Sequence, residues 1–377
     1  MLLSIVVPTK NRSRTLHLLI EALIAFNDKD MELVIHDNSD NNAETVQFLL
    51  DPKYASCKNL KYIYCPGELS VIKNSDLAVA NATGEYICFI GDDDGVLPII
   101  TNTVRWMKEQ NISVLKTRKA AYSWPGMQKN ILNKNASGIL SYSSFNYGTK
   151  SIDSEVALKY SLNKGGTSML KLPCLYHGIV HHTILDRIYQ NCGSFFPASS
   201  PDMANAIALI KFVSSFTYLD IPIIISGKSV SSTGGLGVLH KHIAKIEDVK
   251  HLPKNVLNSW PNFIPRYWTG QTIWAESLLN SLKNCGDSES QYKFNYSYLY
   301  AYIMVYDFKF RKIIFSDAKI KIYSLAFYIN ILRLFLKRVY EFLYNRTLKY
   351  STRNNIKTIG AAIDYIQREI ELNKLPF

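Results

Sequence analysis

The sequence predicts an α/β protein built on a doubly wound, mostly parallel sheet. Three observations predict it. Short apolar runs alternate with stretches of helical periodicity through the first hundred residues. Polar residues close the first, second and fourth of those runs, which is the edge where open α/β sheets bind ligands. Composition is ordinary for a globular chain, with 47% hydrophobic and 20% charged residues, so wholesale disorder is excluded.

The elements follow in order. Leu2 to Val7 (LLSIVV), closed by Pro8, is a buried strand. Leu16, Leu19, Ile20, Leu23 and Ile24 fall on one face of a helix. Ser13 or Thr15 would cap it, and Asn27-Asp28 would stop it. Glu32 to His36 is a second strand ending at Asp37, and Ala43 to Leu50 is a helix. Leu60 to Tyr64 is a third strand, followed by a helix over Val71 to Ala80 that Thr83-Gly84 ends. Glu85 to Ile90 is a fourth strand, running into Gly91-Asp92-Asp93-Asp94. The middle of the chain is mixed, with a strand at Ile223 to Ile225 and a Ser/Gly-rich loop over 226–237. From about 266 the pattern turns helical and aromatic.

At 377 residues the chain exceeds the roughly 150 of a typical domain, so two domains or one with an appendage are expected. No apolar stretch approaches the roughly 18 residues that span a bilayer, and Met1 leads into an apolar run without a basic n-region. Cytoplasmic localisation is the expectation. Six scattered cysteines without a C-x-x-C pattern read as free thiols. The net charge of +12 is uneven: residues 293–350 hold 11 Lys/Arg against 3 Asp/Glu. Such a segment calls for an anionic partner.

The acidic triplet is the sharpest chemical feature. Adjacent carboxylates repel, and burying them without a cation costs several kcal/mol. At a strand end they suit Mn²⁺ or Mg²⁺, which take oxygen ligands and leave positions for substrate phosphates. A solvated acidic turn is the other reading. The G-x-G-x-x-G and P-loop patterns are absent, which argues against NAD and P-loop nucleotides.

SIVVPTKNR, IHDNSD and NATGEYICFIGDDDGVLP, in this order and spacing, resemble a family 2 glycosyltransferase of the GT-A fold. The resemblance covers residues 1–100 well and extends loosely to about 235. It implies a UDP-sugar donor and a metal at a D-x-D. Pro8, Thr9 and Arg12 would then lie near the nucleotide, and Asp37 would accept from the uracil N3–H. Lys73 and Asn74 resemble the family's Arg-Asn pair, with Lys73 near the diphosphate. The family often reads D-S-D-D-x-x-x-P. Anchored on Pro98, that pattern puts Gly91 at the first Asp position. Asp93 becomes the metal ligand, Asp92 a ribose or metal contact, and Asp94 a supporting carboxylate. Shifted by one, Asp92 and Asp94 form the D-x-D, and both registers stay open.

An inverting transferase needs a carboxylate base for the acceptor hydroxyl. By the resemblance, Asp202 in SSPD, ahead of the apolar run Met203 to Val213, takes that role. The same residue also suits a plain N-cap. His177 and His181 have i, i+4 spacing, and with His182 they read as helix packing or acceptor contacts. His240 or His242 would be a late metal ligand, and Gly234-Gly235 a mobile loop over the donor. Trp124 would line the sugar pocket or sit in the core.

Between Tyr323 and Tyr344 the polar residues Asn330, Arg333, Lys337, Arg338 and Glu341 share a narrow stripe, and apolar residues cover the rest. Such a helix suits an anionic membrane surface or a core packing face. No nucleic-acid motif appears, and no nucleic-acid partner is expected. The expected layout is a GT-A nucleotide-sugar domain over 1–240 and a helical, basic region over 241–377 that faces acceptor or membrane. The expected activity is inverting, metal-dependent transfer from a UDP-sugar to a hydroxyl of a glycan or lipid-linked glycan. By the resemblance this serves bacterial surface polysaccharide at the cytoplasmic face of the inner membrane. A metal-dependent nucleotidyltransferase and a non-catalytic GT-A-like adaptor are the alternatives.

Overall fold

A computed structural model describes residues 1–127, 137–230, 232, 243–249, 251–253, 256–317, 324–344 and 351–372. Its centre is a mixed sheet of 11 strands with helices on both faces. Strands β1 (Leu3–Thr9), β2 (Met31–Asp37), β3 (Leu60–Tyr64) and β4 (Tyr86–Phe89) run parallel in the order β4-β1-β2-β3. Both faces of β1 are covered, so its residues need not alternate. Leu3, Ile5 and Val7 face one core and Val6 the other, as the pleat demands.

Helix α1 (Ser13–Ile24) buries Leu16, Leu19, Ile20 and Leu23 on one face. Each such side chain contributes about 1.5–3 kcal/mol of burial. Its N-cap is Arg12, without a side-chain cap, so neither Ser13 nor Thr15 plays the capping role expected of them. The helices after β2 and β3 are α2 (Ala43–Leu49), α3 (Pro52–Ala55) and α4 (Val71–Ala80). Ser70 caps α4 by accepting from the Lys73 N–H.

Beyond β4 the sheet turns mixed. Strand β5 (Gly95–Val96) precedes α5 (Ile100–Glu109). Strands β6 (Val114–Ser123), β7 (Ile139–Tyr142) and β8 (Thr149–Asp153) follow, then α6 (Ser154–Asn163). Strand β9 (Gly178–His181) fills the gap between β4 and β6, antiparallel to both. Helices α7 (His182–Cys192) and α8 (Pro201–Phe212) lead into the long β10 (Ser215–Lys228), which pairs with β5, β6 and β8. The strand expected at 223–225 is the middle of β10.

The helices Gly270–Asn284, Tyr296–Tyr306 and Leu325–Tyr344 follow. The first two pack into the core that contains α7 and α8. Residues 351–372 then return to the N-terminal sheet. Ser351–Arg353 adds a strand beside β7, and helix Ile359–Leu372 packs on α1, β5 and β10. Its residues Ile359, Ile363, Ile366 and Ile370 belong to the core under α1. Among the described residues no helix is long and apolar enough to cross a membrane.

Of the expected polar stripe of the helix Leu325–Tyr344, Asn330 is buried while Arg333, Lys337 and Arg338 are exposed. Phe327, Asn330 and Leu334 are buried, while Leu332, Phe335, Leu336 and Leu343 are each more than half exposed. Tertiary packing has turned the apolar side outward.

Candidate active site

The carboxyl ends of β1, β2 and β4 meet at one edge. Asn11 has a left-handed backbone (φ 55°), which Asn tolerates, and it locks the loop after β1 to that after β2. Its N–H donates to Ser39 Oγ at 2.7 Å, and its amide exchanges two hydrogen bonds with Asp40. Sequence reasoning did not single out Asn11. Asp37 is buried. One of its oxygens accepts from the Ser39 N–H at 2.8 Å, the other from the Tyr62 hydroxyl at 2.7 Å. Asp37 and Thr9 line a cleft of about 230 Å³ with Asn11, Ser39 and Glu44. Pro8 pairs with His36 inside the sheet.

The acidic triplet is buried at its centre. Asp92 is 0% exposed. It accepts from Thr9 Oγ1 at 2.5 Å and from Thr15 Oγ1 at 3.4 Å, with Arg12 Nε at 3.0 Å. Burial pushes its carboxyl up to about 7, against the pull of Arg12. Asp93 accepts the Ser229 N–H at 2.9 Å on Oδ2, while Oδ1 lies 4.0 Å from Arg12 Nη1. Burial, then Asp94, raises it as well. Asp94 is held differently. Four donors surround it: the N–H groups of Gly91 and Gly227, the Tyr176 hydroxyl, and His177 Nε2 at 2.7 Å. Burial opposes its charge, but His177 together with the Gly227 and Gly91 N–H groups outweighs that and holds the carboxyl below its ordinary value.

This geometry bears on the two registers. Asp94 is fully engaged by its loop, which suits a supporting carboxylate. A Cβ on Gly91 would meet the Tyr176 hydroxyl at 2.9 Å, so an acidic side chain there would have to displace Tyr176. Among the described residues, no three His, Cys, Asp or Glu side chains form a cluster that could hold a metal. Asp92, Asp93 and Asp94 lie side by side in the loop, with most of their oxygens already hydrogen-bonded. What they offer a divalent cation is Asp93 Oδ1, the oxygen of the three carboxylates with no short hydrogen bond. A hard cation can be held by one or two carboxylates plus substrate phosphates, so the residues fit one on those terms.

The histidines are not on one helical face. Strand β9 separates them: His177 precedes it with φ 65°, His181 ends it, and His182 opens α7. His181 Nδ1 accepts from the Thr183 N–H, and His182 Nδ1 pairs with the Gly84 carbonyl. Only His177 reaches the acidic site. Trp124 is buried and donates its Nε1–H to the Asp93 carbonyl at 2.7 Å, bracing the loop. The expected ligands His240 and His242, and Gly234-Gly235, lie outside the described residues.

Asp202 sits in the first turn of α8, where the helix dipole favours a carboxylate. Ser200 is the N-cap residue, so Asp202 is no plain cap. Its Oδ1 accepts from the Ser200 hydroxyl and its Oδ2 from Trp274 Nε1 at 3.2 Å. One short segment ties it to the triplet: Cys174 Sγ donates to the Asp202 carbonyl, and Tyr176 two residues on reaches Asp94. Below, Glu276 is buried and accepts from Ser199, Ser277 and Asn280, which anchors the approach to α8.

Asn74 is a tie rather than an open contact. Its Oδ1 lies 2.7 Å from His36 Nδ1, and its Nδ2 donates to the Thr9 carbonyl at 3.4 Å. Lys73 is exposed on the same helix. Asp76, one turn on, accepts from the Ser194 hydroxyl and the Phe195 N–H, and burial pushes it up to about 6. A native carboxyl near 6, against 3.8 unfolded, binds more protons when folded across that window. Stability therefore falls as pH rises from about 4 to 6, by at most about 3 kcal/mol, and is flat above. Asp76→Asn should flatten that slope in pH-dependent urea titrations.

An α/β sheet with nucleotide-sized clefts and buried carboxylates at its strand ends is the GT-A class of fold. Residues 4–161 match the family model "Glycosyl transferase family 2". No curated protein matches the sequence. Among solved structures the chain is similar to S. aureus TarS at 13% identity and TM-score 0.45, covering 84% of this chain and 54% of that one. It is also similar to S. aureus TarS 1-349 in complex with UDP-GlcNAc, at 15% identity and TM-score 0.47, with 84% and 89% covered. The complex of TarS 1-349 with UDP gives 13% identity and TM-score 0.42, with 95% and 98% covered.

Proposed function

We propose that the chain transfers a sugar, with inversion, from a UDP-linked donor to an acceptor hydroxyl in bacterial surface polysaccharide synthesis. The observation that carries this reading is the link between Asp202 and the acidic triplet through Cys174–Tyr176. It ties the backbone of a candidate base to a candidate diphosphate site, which lies in the stretch that matches the family 2 model. Asp37 would accept the uracil N3–H in the cleft it lines with Thr9. Arg12 and Lys73 would offset diphosphate charge, with Pro8 and Asn74 holding the walls. Asp92 would keep Arg12 aimed, and Asp94 would keep the loop shaped. Asp93 would hold Mn²⁺ or Mg²⁺, which when bound neutralises the leaving diphosphate. Asp202 would take the acceptor proton as the new bond forms.

The test is thermal unfolding with a nucleotide panel, with and without Mn²⁺. UDP at 100 times its Kd should add about 2.7 kcal/mol. UDP with Mn²⁺ should raise the midpoint of the native chain and leave that of Asp93→Ala unmoved. A response to other nucleotides alone would overturn the donor assignment. Release of pyrophosphate in place of UDP would favour a nucleotidyltransferase.

We further propose that 1–240 handles the donor, while 241–377 faces a lipid-linked acceptor or the membrane, with 351–372 serving the donor domain's core. The outward apolar face of helix Leu325–Tyr344 supports this, since water is a poor partner for that much apolar surface. Peripheral attachment at the cytoplasmic face follows. Leu332→Glu should reduce flotation with anionic vesicles at least several-fold and leave the unfolding midpoint within a degree or two. Undiminished flotation would remove the membrane role.

A further inference from the structure

A second polar pocket lies far from the acidic triplet in sequence. It has a volume of about 550 Å³ and sits between the end of α6 and the helices Tyr296–Tyr306 and Leu325–Tyr344. Lys164, Arg333 and Lys337 line it together with Asn163, Asn295 and Asn330, and its lining contains no carboxylate. The nearest acid paired with one of these cations is Glu341, 3.4 Å from Lys337. Lys164 and Arg333 make no salt bridge to another described residue.

Lys164 is fixed by ring faces rather than by an anion. Its Nζ lies 4.7 Å from the Tyr298 ring centroid and 5.9 Å from that of Tyr160. Burial lowers its pKa first, and the charges of Lys337 and Arg333 lower it further. Like charges gathered around one counter-ion, Glu341, repel one another unless something else gains from them. Asn330 adds a second sign. It is 6% exposed, lines the pocket, and makes no hydrogen bond to another described residue. Asn295, by contrast, is engaged by Tyr298 and Asn163.

We propose that this pocket binds a phosphate group, with Lys164, Arg333 and Lys337 supplying the charge and Asn330 a neutral donor. Three cationic arms and an amide match the several oxygens of a phosphate better than the two of a carboxylate. Arg333 and Lys337 stand on the helix whose other side is apolar and outward. A lipid headgroup at a membrane surface is therefore one source of the phosphate, and a soluble phosphate is the other. The lipid source rests on the membrane reading given above; the phosphate chemistry does not.

Two arms test it. In the first, inorganic pyrophosphate is titrated against the unfolding midpoint. A saturable rise is expected, weakened at least tenfold in apparent Kd by Arg333→Gln and Lys164→Gln. Lys309→Gln, an exposed charge control, should respond like the native chain. In the second arm, flotation is measured with phosphatidylcholine vesicles with and without phosphatidic acid. Arg333→Gln should lose the gain from phosphatidic acid but keep its binding to neutral vesicles. A response in the first arm assigns a soluble phosphate, and one in the second alone assigns the headgroup. If Arg12→Gln loses the pyrophosphate response while Arg333→Gln keeps it, or if neither arm separates Arg333→Gln from Lys309→Gln, the proposal fails. Arg333 is exposed, so its substitution should not unfold the chain, and a retained UDP response in Arg333→Gln keeps the two sites apart.

Discussion

Asp202→Asn is expected to lower sugar transfer by about 10²–10⁴-fold while leaving the UDP-induced rise in unfolding midpoint intact. The substitution keeps the side chain's shape and its place between Ser200 and Trp274, and it removes the proton acceptor. The loss should fall on kcat, because the base acts as the bond forms and contributes little to donor binding. Trp274→Phe removes only the Nε1–H donor and should cost far less. A transfer rate within threefold of native for Asp202→Asn would reduce Asp202 to an anchor of α8.

Gly227→Ala is expected to destabilise the fold by about 3–5 kcal/mol and to abolish donor binding. A Cβ at this position of β10 would sit 1.7 Å from the Asp93 carbonyl oxygen and 2.5 Å from its carbon. Those are backbone atoms and cannot swing aside. The same N–H holds Asp94 Oδ1, so any shift of β10 also loosens the acidic loop. Gly91→Ala is the contrast. Its Cβ would meet the end of the Tyr176 side chain, which can move. Tyr176→Phe should recover part of that loss in a double-mutant cycle, whereas it should recover nothing for Gly227→Ala. Denaturant midpoints and UDP titrations on the five variants, three single and two double, check both statements.

The parallel half of the sheet was legible because its signals are local. β3 and α4 have the bounds that apolar runs and turn residues predicted, and β1, β2 and β4 differ only at their ends. The strand-end residues Thr9, Arg12, Asp92 and Asp93 were legible for the same reason. Their partners were not. Tyr176, His177 and Gly227 reach Asp94 across 82, 83 and 133 residues, and no periodicity reports such a contact. The i, i+4 spacing of His177 and His181 misled, because a strand also tolerates it. In helix Leu325–Tyr344 the polar stripe was visible, but which side faced inward depended on Phe327 and Leu334 finding neighbours in the helical layer.

The return of residues 351–372 to the sheet sets a schedule for the ribosome. The core under α1 stays open until Ile359, Ile363, Ile366 and Ile370 have been synthesised, some 340 residues after α1 itself. Until then an apolar face of the nascent sheet has no cover. The edge of β7 also waits for Ser351–Arg353, and Gly138 waits for the Ile356 N–H that its carbonyl accepts at 3.0 Å. Contacts of such sequence separation form slowly, so this core closes only after residues 351–372 have left the ribosome. A stop codon ahead of Ile359 should therefore yield aggregates rather than a shorter folded protein.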